Sequence, residues 1–116
     1  MSAADPSCLF CRIVRKEIPA KVAFEDDVVL AFHDVAPRAP THILVIPKAH
    51  LSSLSATSAS DAVLLGACLA ALRDVARTLS LESYRVVLND GFEAGQRVFH
   101  MHLHLLAGRA FGWPPG

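Results

Sequence analysis

The sequence lacks an excess of charge of either sign, and it lacks a long apolar run. Eleven Lys and Arg residues balance eleven Asp and Glu residues. No surplus of positive charge is therefore available to neutralise the phosphates of bulk nucleic acid or an anionic membrane surface. The longest apolar run, which includes residues 63–72, is far shorter than the roughly twenty residues that a membrane span needs. We therefore expect neither a general nucleic-acid-binding protein nor a membrane protein.

Sorting signals and cysteine pairs are also scarce. No basic segment followed by an apolar segment begins at Met1, as it would in a secretory signal. The three cysteines are an odd number, and two of them have the spacing Cys-x-x-Cys. This usage is typical of a metal-binding or redox protein in a reducing compartment, and not of a disulfide framework. The expected location is the cytoplasm.

The chain does have enough apolar sequence to build a core. Of its 116 residues, 53% are hydrophobic and 19% are charged, and no repeat, low-complexity tract or charge block interrupts them. Such a composition indicates a folded protein, and the length suits one domain. We predict a single domain over residues 1–116.

The periodicity of the apolar residues predicts an α+β fold. A short N-terminal helix is predicted over residues 8–16, and a long helix over residues 59–79, where apolar side chains recur at three- and four-residue steps. Ser58 and Asp61 form a capping-box pattern at the start of the long helix. Five strands are predicted, at residues 21–24, 28–33, 41–46, 84–88 and 98–106. The expected architecture is a five-stranded, mostly antiparallel sheet with its helices on one face.

Three histidines alternate with apolar residues in the last predicted strand. Because successive side chains of a strand point to opposite faces, His100, His102 and His104 should share one face, with about 6.7 Å between neighbours. This row could be a solvated strand surface without function. It could also hold zinc, or supply an imidazole that attacks phosphorus while its neighbours bind the phosphate oxygens. The spacing leaves zinc and phosphorus chemistry equally open.

The sequence around these histidines resembles the histidine triad (HIT) superfamily, in particular its Hint branch. The resemblance spans nearly the whole chain and is carried by GQRVFHMHLHLL at 95–106, WPPG at 113–116, FHDV at 32–35, APTH at 39–42, IPKAH at 46–50 and LNDG at 88–91. It implies a HIT-like fold and a homodimer in which the sheets of two copies pair. It also implies hydrolysis of purine nucleoside 5′-phosphoramidates or related nucleotidyl bonds.

The resemblance further implies a role for each matching residue. His102 would be the nucleophile on the α-phosphorus of the nucleotide and would form a nucleotidyl-histidine intermediate that water hydrolyses. His104 and His42 would stabilise the charge that develops on the phosphate. The residues implied to bind the nucleotide are Phe32, Asp34, Val35, Asn89, Gln96, Arg97, Val98 and, reaching across from a second copy, Trp113.

Simpler roles and other activities stay open at this point. Asp34 could form a turn, Asn89 could adopt a left-handed conformation, and Trp113 could anchor an exposed tail. At Arg97 the chain departs from Hint proteins, which usually have a serine whose hydroxyl assists the leaving amine. Arginine is always charged and suits a phosphate better than an amine, which favours a dinucleoside polyphosphate as an alternative substrate. A nucleotide-binding adaptor with little turnover is a further alternative.

The Cys-x-x-Cys pair can supply two of the four ligands that a structural zinc needs. A redox role is disfavoured because no strand precedes the motif. Many Hint-like proteins that keep this pair complete the site with the histidine of the Pro-Lys-x-His segment and the first triad histidine. The resemblance therefore implies a structural zinc on Cys8, Cys11, His50 and His100, with two unpaired core cysteines as the alternative. The third cysteine, Cys68, is expected in the apolar core.

Overall fold

The computed structural model describes residues 5–116 and contains one antiparallel sheet with two helices. The strands are β1 (Val22–Glu25), β2 (Val29–His33), β3 (Thr41–Pro47), β4 (Arg85–Val87) and β5 (Leu103–Ala107). The helices are α1 (Leu9–Val14) and α2 (Ala62–Thr78), and a 3₁₀ turn at Ala59–Asp61 precedes α2. The strand order is β1-β2-β3-β5-β4, and every neighbouring pair is antiparallel. This arrangement confirms the predicted α+β class with its five strands, one long helix and one short helix.

The two helices lie on opposite faces of the sheet. Helix α2 packs on one set of alternate strand residues, which includes Val29, Ile43 and Leu105. Helix α1 packs on the other set, which includes Leu30 and Leu44. The expectation that the helices share one face was therefore wrong. The reason is visible in β2 and β3, whose apolar residues are continuous and not alternating, as in strands that are buried on both faces.

The 3₁₀ turn that leads into α2 is capped as its sequence predicts. Asp61 accepts a hydrogen bond from the backbone N–H of Ser58 at 2.9 Å, and Ser58 completes the reciprocal capping box. These bonds satisfy backbone N–H groups that have no partner within the helix. In the part of the chain that the structure describes, neither helix is long and apolar enough to cross a membrane.

Strand β5 begins later than predicted. It starts at Leu103, so that His104 alone of the three histidines lies within a regular strand. The backbone N–H of Met101 donates to the carbonyl oxygen of Leu51 at 2.6 Å and not to a neighbouring strand. The alternation of side chains persists nevertheless, because Met101 and Leu103 are buried in the core beneath α2. His100, His102 and His104, which alternate with these core residues, therefore lie on the face that carries α1.

Candidate active site and metal cluster

A cleft of about 510 Å³ opens on the face of the sheet that carries α1. Its apolar wall is formed by α1 together with the side chains of β2 and β3 beneath it, and includes Leu9, Phe10, Ile13, Phe32 and Leu44. Its polar lining includes His42, His102, His104, Asp34, Asn89 and Arg97. The cleft thus combines an apolar surface with a few convergent polar groups, as small-molecule sites usually do.

Two of these histidines form a hydrogen-bonded pair across neighbouring strands. The Nε2 atom of His42 on β3 is 2.9 Å from the Nδ1 atom of His104 on β5. The backbone N–H of Arg38 donates to Nδ1 of His42 at 3.0 Å, which assigns the His42 proton to Nε2 and makes His104 Nδ1 the acceptor. The proton of a neutral His104 ring is then on Nε2, where it can be donated to a ligand.

Burial keeps these two rings neutral. Loss of solvation lowers the pKa of His104 to about 4, and the neighbouring rings of His102 and His42 add to this effect. Burial also lowers the pKa of His42, although Asp34 opposes the change. The pKa of each ring is below its ordinary value of 6.5. Near pH 7 each ring therefore carries no charge and offers one donor and one acceptor.

His102 has the opposite tautomer. Its Nδ1 atom is 2.7 Å from the carbonyl oxygen of His100, and because a carbonyl only accepts, Nδ1 carries the proton. Nε2 therefore keeps a lone pair on a ring that lines the cleft. Burial also lowers the pKa of His102, which favours this unprotonated state. The His102 ring lies 5.0 Å from that of His104, centroid to centroid.

Asp34 combines a turn with a position in the cleft. One carboxylate oxygen accepts a hydrogen bond from the backbone N–H of Ala36 at 2.8 Å, as in an Asx turn at the end of β2. The other oxygen lies 3.5 Å from Nε2 of His42. Both interpretations of this residue are therefore compatible with its geometry. Val35, which follows it at the rim of the cleft, is 98% exposed.

The loop between β4 and β5 brings three predicted residues to the cleft and keeps a fourth out of it. Asn89, Arg97 and Val98 line the cleft, whereas Gln96 does not. The Gln96 side chain is buried, donating to the carbonyl oxygens of Ser52 at 2.7 Å and Val98 at 3.1 Å. Its own oxygen accepts the N–H of Gly91 at 2.9 Å. Gln96 therefore holds the loop in shape.

Trp113 lies apart from the cleft of its own chain. It is 84% exposed and is absent from the cleft lining. The Arg85 guanidinium donates to the carbonyl oxygen of the preceding Gly112 at 2.8 Å, which fixes the backbone just before the tryptophan. The ring is consequently presented to solvent at the end of an anchored segment.

The sequence analysis missed the contribution of α1 to the cleft. The Phe10 ring meets those of Phe32 at 5.5 Å and His102 at 5.1 Å, in both cases edge to face. Phe10 therefore contacts both the apolar wall and His102, the candidate nucleophile. The available signal was its position between Cys8 and Cys11, because a metal shared with His100 would bring the residue between the cysteines beside the histidine row.

The four residues of the expected metal site lie together. The ligand atoms of Cys8, Cys11, His50 and His100 are all within 4.8 Å of one another. The individual sulfur to nitrogen distances are 3.4 Å for Cys8 to His100, 3.3 Å for Cys11 to His50 and 3.5 Å for Cys11 to His100. A tetrahedral zinc with Zn–S near 2.3 Å and Zn–N near 2.0–2.1 Å has S to N edges of about 3.6 Å. The cluster could therefore hold a metal ion, and its donor set suits zinc.

Hydrogen bonds from backbone groups orient these ligands. Nε2 of His100 is 2.7 Å from the carbonyl oxygen of Pro47, which fixes the proton on Nε2 and leaves the Nδ1 lone pair on the side of the sulfurs. The backbone N–H of Cys11 donates to the sulfur of Cys8 at 3.3 Å, and that of Asp5 donates to the sulfur of Cys11 at 3.4 Å. Such partners stabilise thiolates and fix the tautomer of a ligating histidine.

The structure thus divides the histidine row between two places. His100 belongs to the cysteine cluster, whereas His102 and His104 line the cleft. A second group of potential ligands, formed by Asp34, His42 and His104, is accounted for by the hydrogen bond between its two imidazoles. Among the described residues, no group of potential metal ligands contains all three histidines of the row.

Comparison with known proteins assigns the family. The family model for the HIT domain matches residues 15–111, and the chain belongs to the HIT family. A 14 kDa zinc-binding protein from Zea mays is 47% identical over 115 residues, covering 97% of this chain and 90% of that protein. Adenylylsulfatase HINT1 from Arabidopsis thaliana is 45% identical over 116 residues, covering 97% of this chain and 79% of that protein.

A solved structure agrees with both the fold and the class. The crystal structure of a HIT family hydrolase from Legionella pneumophila Philadelphia 1 superimposes with a TM-score of 0.91 at 47% identity, covering 95% of this chain and 100% of that chain. Together with the family match, this similarity supports a hydrolase of the HIT family.

Proposed function

We propose that the protein hydrolyses a nucleotidyl bond, with His102 as the nucleophile and a nucleotidyl-histidine as the intermediate. The observation that carries the proposal is the 2.7 Å hydrogen bond from Nδ1 of His102 to the carbonyl oxygen of His100. It holds the lone pair of Nε2 on a neutral ring in the cleft, which is the state that covalent catalysis requires. The relative from Arabidopsis thaliana, named an adenylylsulfatase, supports a nucleoside 5′-phosphate derivative as the substrate.

In the first step, Nε2 of His102 forms a bond to the α-phosphorus. The bond between that phosphorus and the leaving group breaks, and its electron pair departs with the leaving group. An amine leaving group takes up a proton from solvent as this bond breaks, whereas an oxyanion departs without one. The ring becomes cationic, so its hydrogen bond to the His100 carbonyl becomes charge-assisted and stronger. His104 donates from Nε2 to a phosphate oxygen, in the tautomer set by its bond to His42, and stabilises the charge that develops there.

In the second step, water adds to the phosphorus of the intermediate. The bond between phosphorus and Nε2 breaks, and its electron pair returns to the ring. One proton of the water is released to solvent, and the product is a nucleoside 5′-monophosphate. The His102 ring regains its starting tautomer because Nδ1 has kept its proton throughout.

The remaining lining residues suit the nucleoside. Phe32 and the apolar wall from α1 offer a surface for a purine base, with Val35 at the rim. The carboxylate of Asp34 suits the ribose hydroxyls, which are donors. Asn89 and the backbone at Arg97 and Val98 would lie beside the sugar and phosphate. Gln96 would act indirectly, by shaping the loop.

We also propose a homodimer and a bound zinc ion. The exposed Trp113 at the end of an anchored segment supports a second copy that receives it, because large aromatic side chains are enriched at interfaces. Zinc would be held by Cys8, Cys11, His50 and His100, and its contribution when bound would be structural, as a cross-link. The relative from Zea mays, named a zinc-binding protein, supports this assignment.

The proposed substrates are a purine nucleoside 5′-phosphoramidate, from the resemblance to Hint proteins, and a dinucleoside polyphosphate, which Arg97 favours. The test is incubation of the purified protein with an adenosine phosphoramidate and with diadenosine tetraphosphate, each in oxygen-18 water. We expect adenosine 5′-monophosphate that carries one oxygen-18 atom on phosphorus. Binding of both compounds without release of the monophosphate would reject hydrolysis and favour the adaptor alternative.

A further inference from the structure

Arg97 is an exposed residue that contacts its own loop at the edge of the proposed reaction centre. It lines the cleft together with His102 and His104. Its Nη1 atom donates to the carbonyl oxygen of Phe92 at 2.6 Å, and its guanidinium carbon lies 4.1 Å from the centroid of the Phe92 ring. Stacking and hydrogen bonding together restrict a side chain that would otherwise adopt many rotamers, so less entropy is lost when it binds a ligand.

The loop beneath Arg97 is itself well connected. The Phe92 carbonyl that receives Arg97 also accepts the backbone N–H of Gly95 at 3.0 Å, and the backbone N–H of Gln96 donates to Gly91 at 3.0 Å. The buried side chain of Gln96 ties this loop to the segment at Ser52. The folded loop therefore supplies the carbonyl group and the aromatic ring that position the guanidinium.

The guanidinium keeps most of its donors for a ligand. Both hydrogen bonds recorded for the Arg97 side chain in residues 5–116 use Nη1, whereas a guanidinium has five N–H donors spread over three nitrogens. The carboxylates of the described residues that form ion pairs do so with other cationic side chains. Within residues 5–116, the positive charge of Arg97 thus borders the cleft without a carboxylate in ion-pair contact.

We propose that Arg97 is a specificity-determining residue that binds the leaving group, and that this leaving group is an anionic oxyacid such as sulfate or a phosphate chain. The inference rests on the proposed nucleotidyl hydrolysis and specifies the group that the first step releases. A planar guanidinium fork matches the oxygens of sulfate or phosphate.

The protonation requirement of the leaving group favours the same substrate class. When the bond between the α-phosphorus and the bridging oxygen breaks, the electron pair stays on an oxyanion that is stable without a proton, and Arg97 stabilises its charge. An amine must gain a proton as the phosphorus to nitrogen bond breaks. Arginine does not give up its proton in proteins, so Arg97 cannot supply it.

The experiment compares kcat/KM for three substrates that transfer the same adenylyl group: adenosine 5′-phosphosulfate, diadenosine tetraphosphate and adenosine 5′-phosphoramidate. For Arg97→Ser we expect a fall of about 100-fold on the two substrates with anionic leaving groups, as for loss of one preorganised charge-stabilising donor. The phosphoramidate should change less than about threefold. Arg97→Lys should retain part of the effect, since it keeps the charge and loses the fork. A fall on only one anionic substrate would identify sulfate or phosphate as the group bound.

The matched control is Arg73→Ser, which removes an exposed arginine from α2 on the opposite face of the sheet and should leave all three values unchanged. If Arg97→Ser changed kcat/KM by the same factor for all three substrates, or did not change it, the assignment of Arg97 would be overturned. Nucleotidyl hydrolysis would remain intact. A wild-type protein that releases no adenosine 5′-monophosphate from any of the three would overturn both proposals.

Discussion

Replacement of His102 by alanine is expected to lower kcat for nucleotidyl hydrolysis by about 10,000-fold or more, on the scale measured when an enzyme loses its nucleophile. The reason is that the variant cannot form the bond to phosphorus, whereas every other group of the cleft remains. The measurement is the rate of nucleoside monophosphate release under saturating substrate, with the thermal unfolding midpoint recorded for each variant.

Two companion variants separate the nucleophile from its surroundings. His102→Asn keeps a side-chain donor near the position of Nδ1, so it should retain the bond to the His100 carbonyl and the fold, yet be as inactive as His102→Ala. His104→Ala should lose only about 100- to 1,000-fold, because it removes one group that stabilises charge. Equal losses for His102→Ala and His104→Ala, or substantial activity in His102→Asn, would be inconsistent with covalent catalysis at His102.

Replacement of Cys11 by alanine is expected to abolish stoichiometric zinc binding and to lower the unfolding midpoint by about 10 °C or more. The proposed ion joins α1 to the segment before β5 and to the segment after β3, and the free energy of metal binding contributes directly to folding. Loss of this link should also loosen Phe10, which packs against the ring of His102. Metal analysis and calorimetry of protein purified without chelator provide the two measurements.

The third cysteine provides the matched control for this experiment. Cys68 is buried in α2 beneath the other face of the sheet, and burial raises the pKa of its thiol to about 11. Cys68→Ala should therefore leave the zinc content at one ion per chain, and should cost only the packing of one sulfur atom. A wild-type protein without zinc, or equal effects of Cys11→Ala and Cys68→Ala, would reject the metal centre.

The sequence predicted those parts of the fold that depend on local periodicity. The capping box at Ser58 and Asp61, the apolar stripe of α2 and the alternation at Met101 and Leu103 all concern residues a few positions apart. The start of β5 could not be predicted in this way. It depends on the hydrogen bond from Met101 to Leu51, which joins segments fifty positions apart in the chain.

In the candidate site, too, features that depend on local spacing were predicted, and side-chain packing between distant segments was not. The residues of the histidine row and of the Cys-x-x-Cys pair were identified from spacing and resemblance. The structure groups the cysteine pair with His100, and it places His102 and His104 in the cleft. The wall formed by α1 was missed, although the expected metal site already placed Cys8 beside His100, 92 positions away. The packing of the Phe10 ring on Phe32 is a tertiary contact that residue spacing does not show. Gln96 was expected beside the nucleotide, whereas its hydrogen bonds to Gly91 and Ser52 became visible only when the loop was seen folded.

Mass spectrometry of a quenched single turnover tests covalent catalysis by His102 most directly. Excess protein is mixed with an adenylyl substrate, the reaction is stopped in base to preserve a phosphorus to nitrogen bond, and the protein is digested and sequenced in the spectrometer. We predict an adenylyl group on the His102 ring of the wild-type protein, and none in His102→Asn. Release of adenosine 5′-monophosphate with no adduct at any time point, or an adduct on a different residue, would contradict the account.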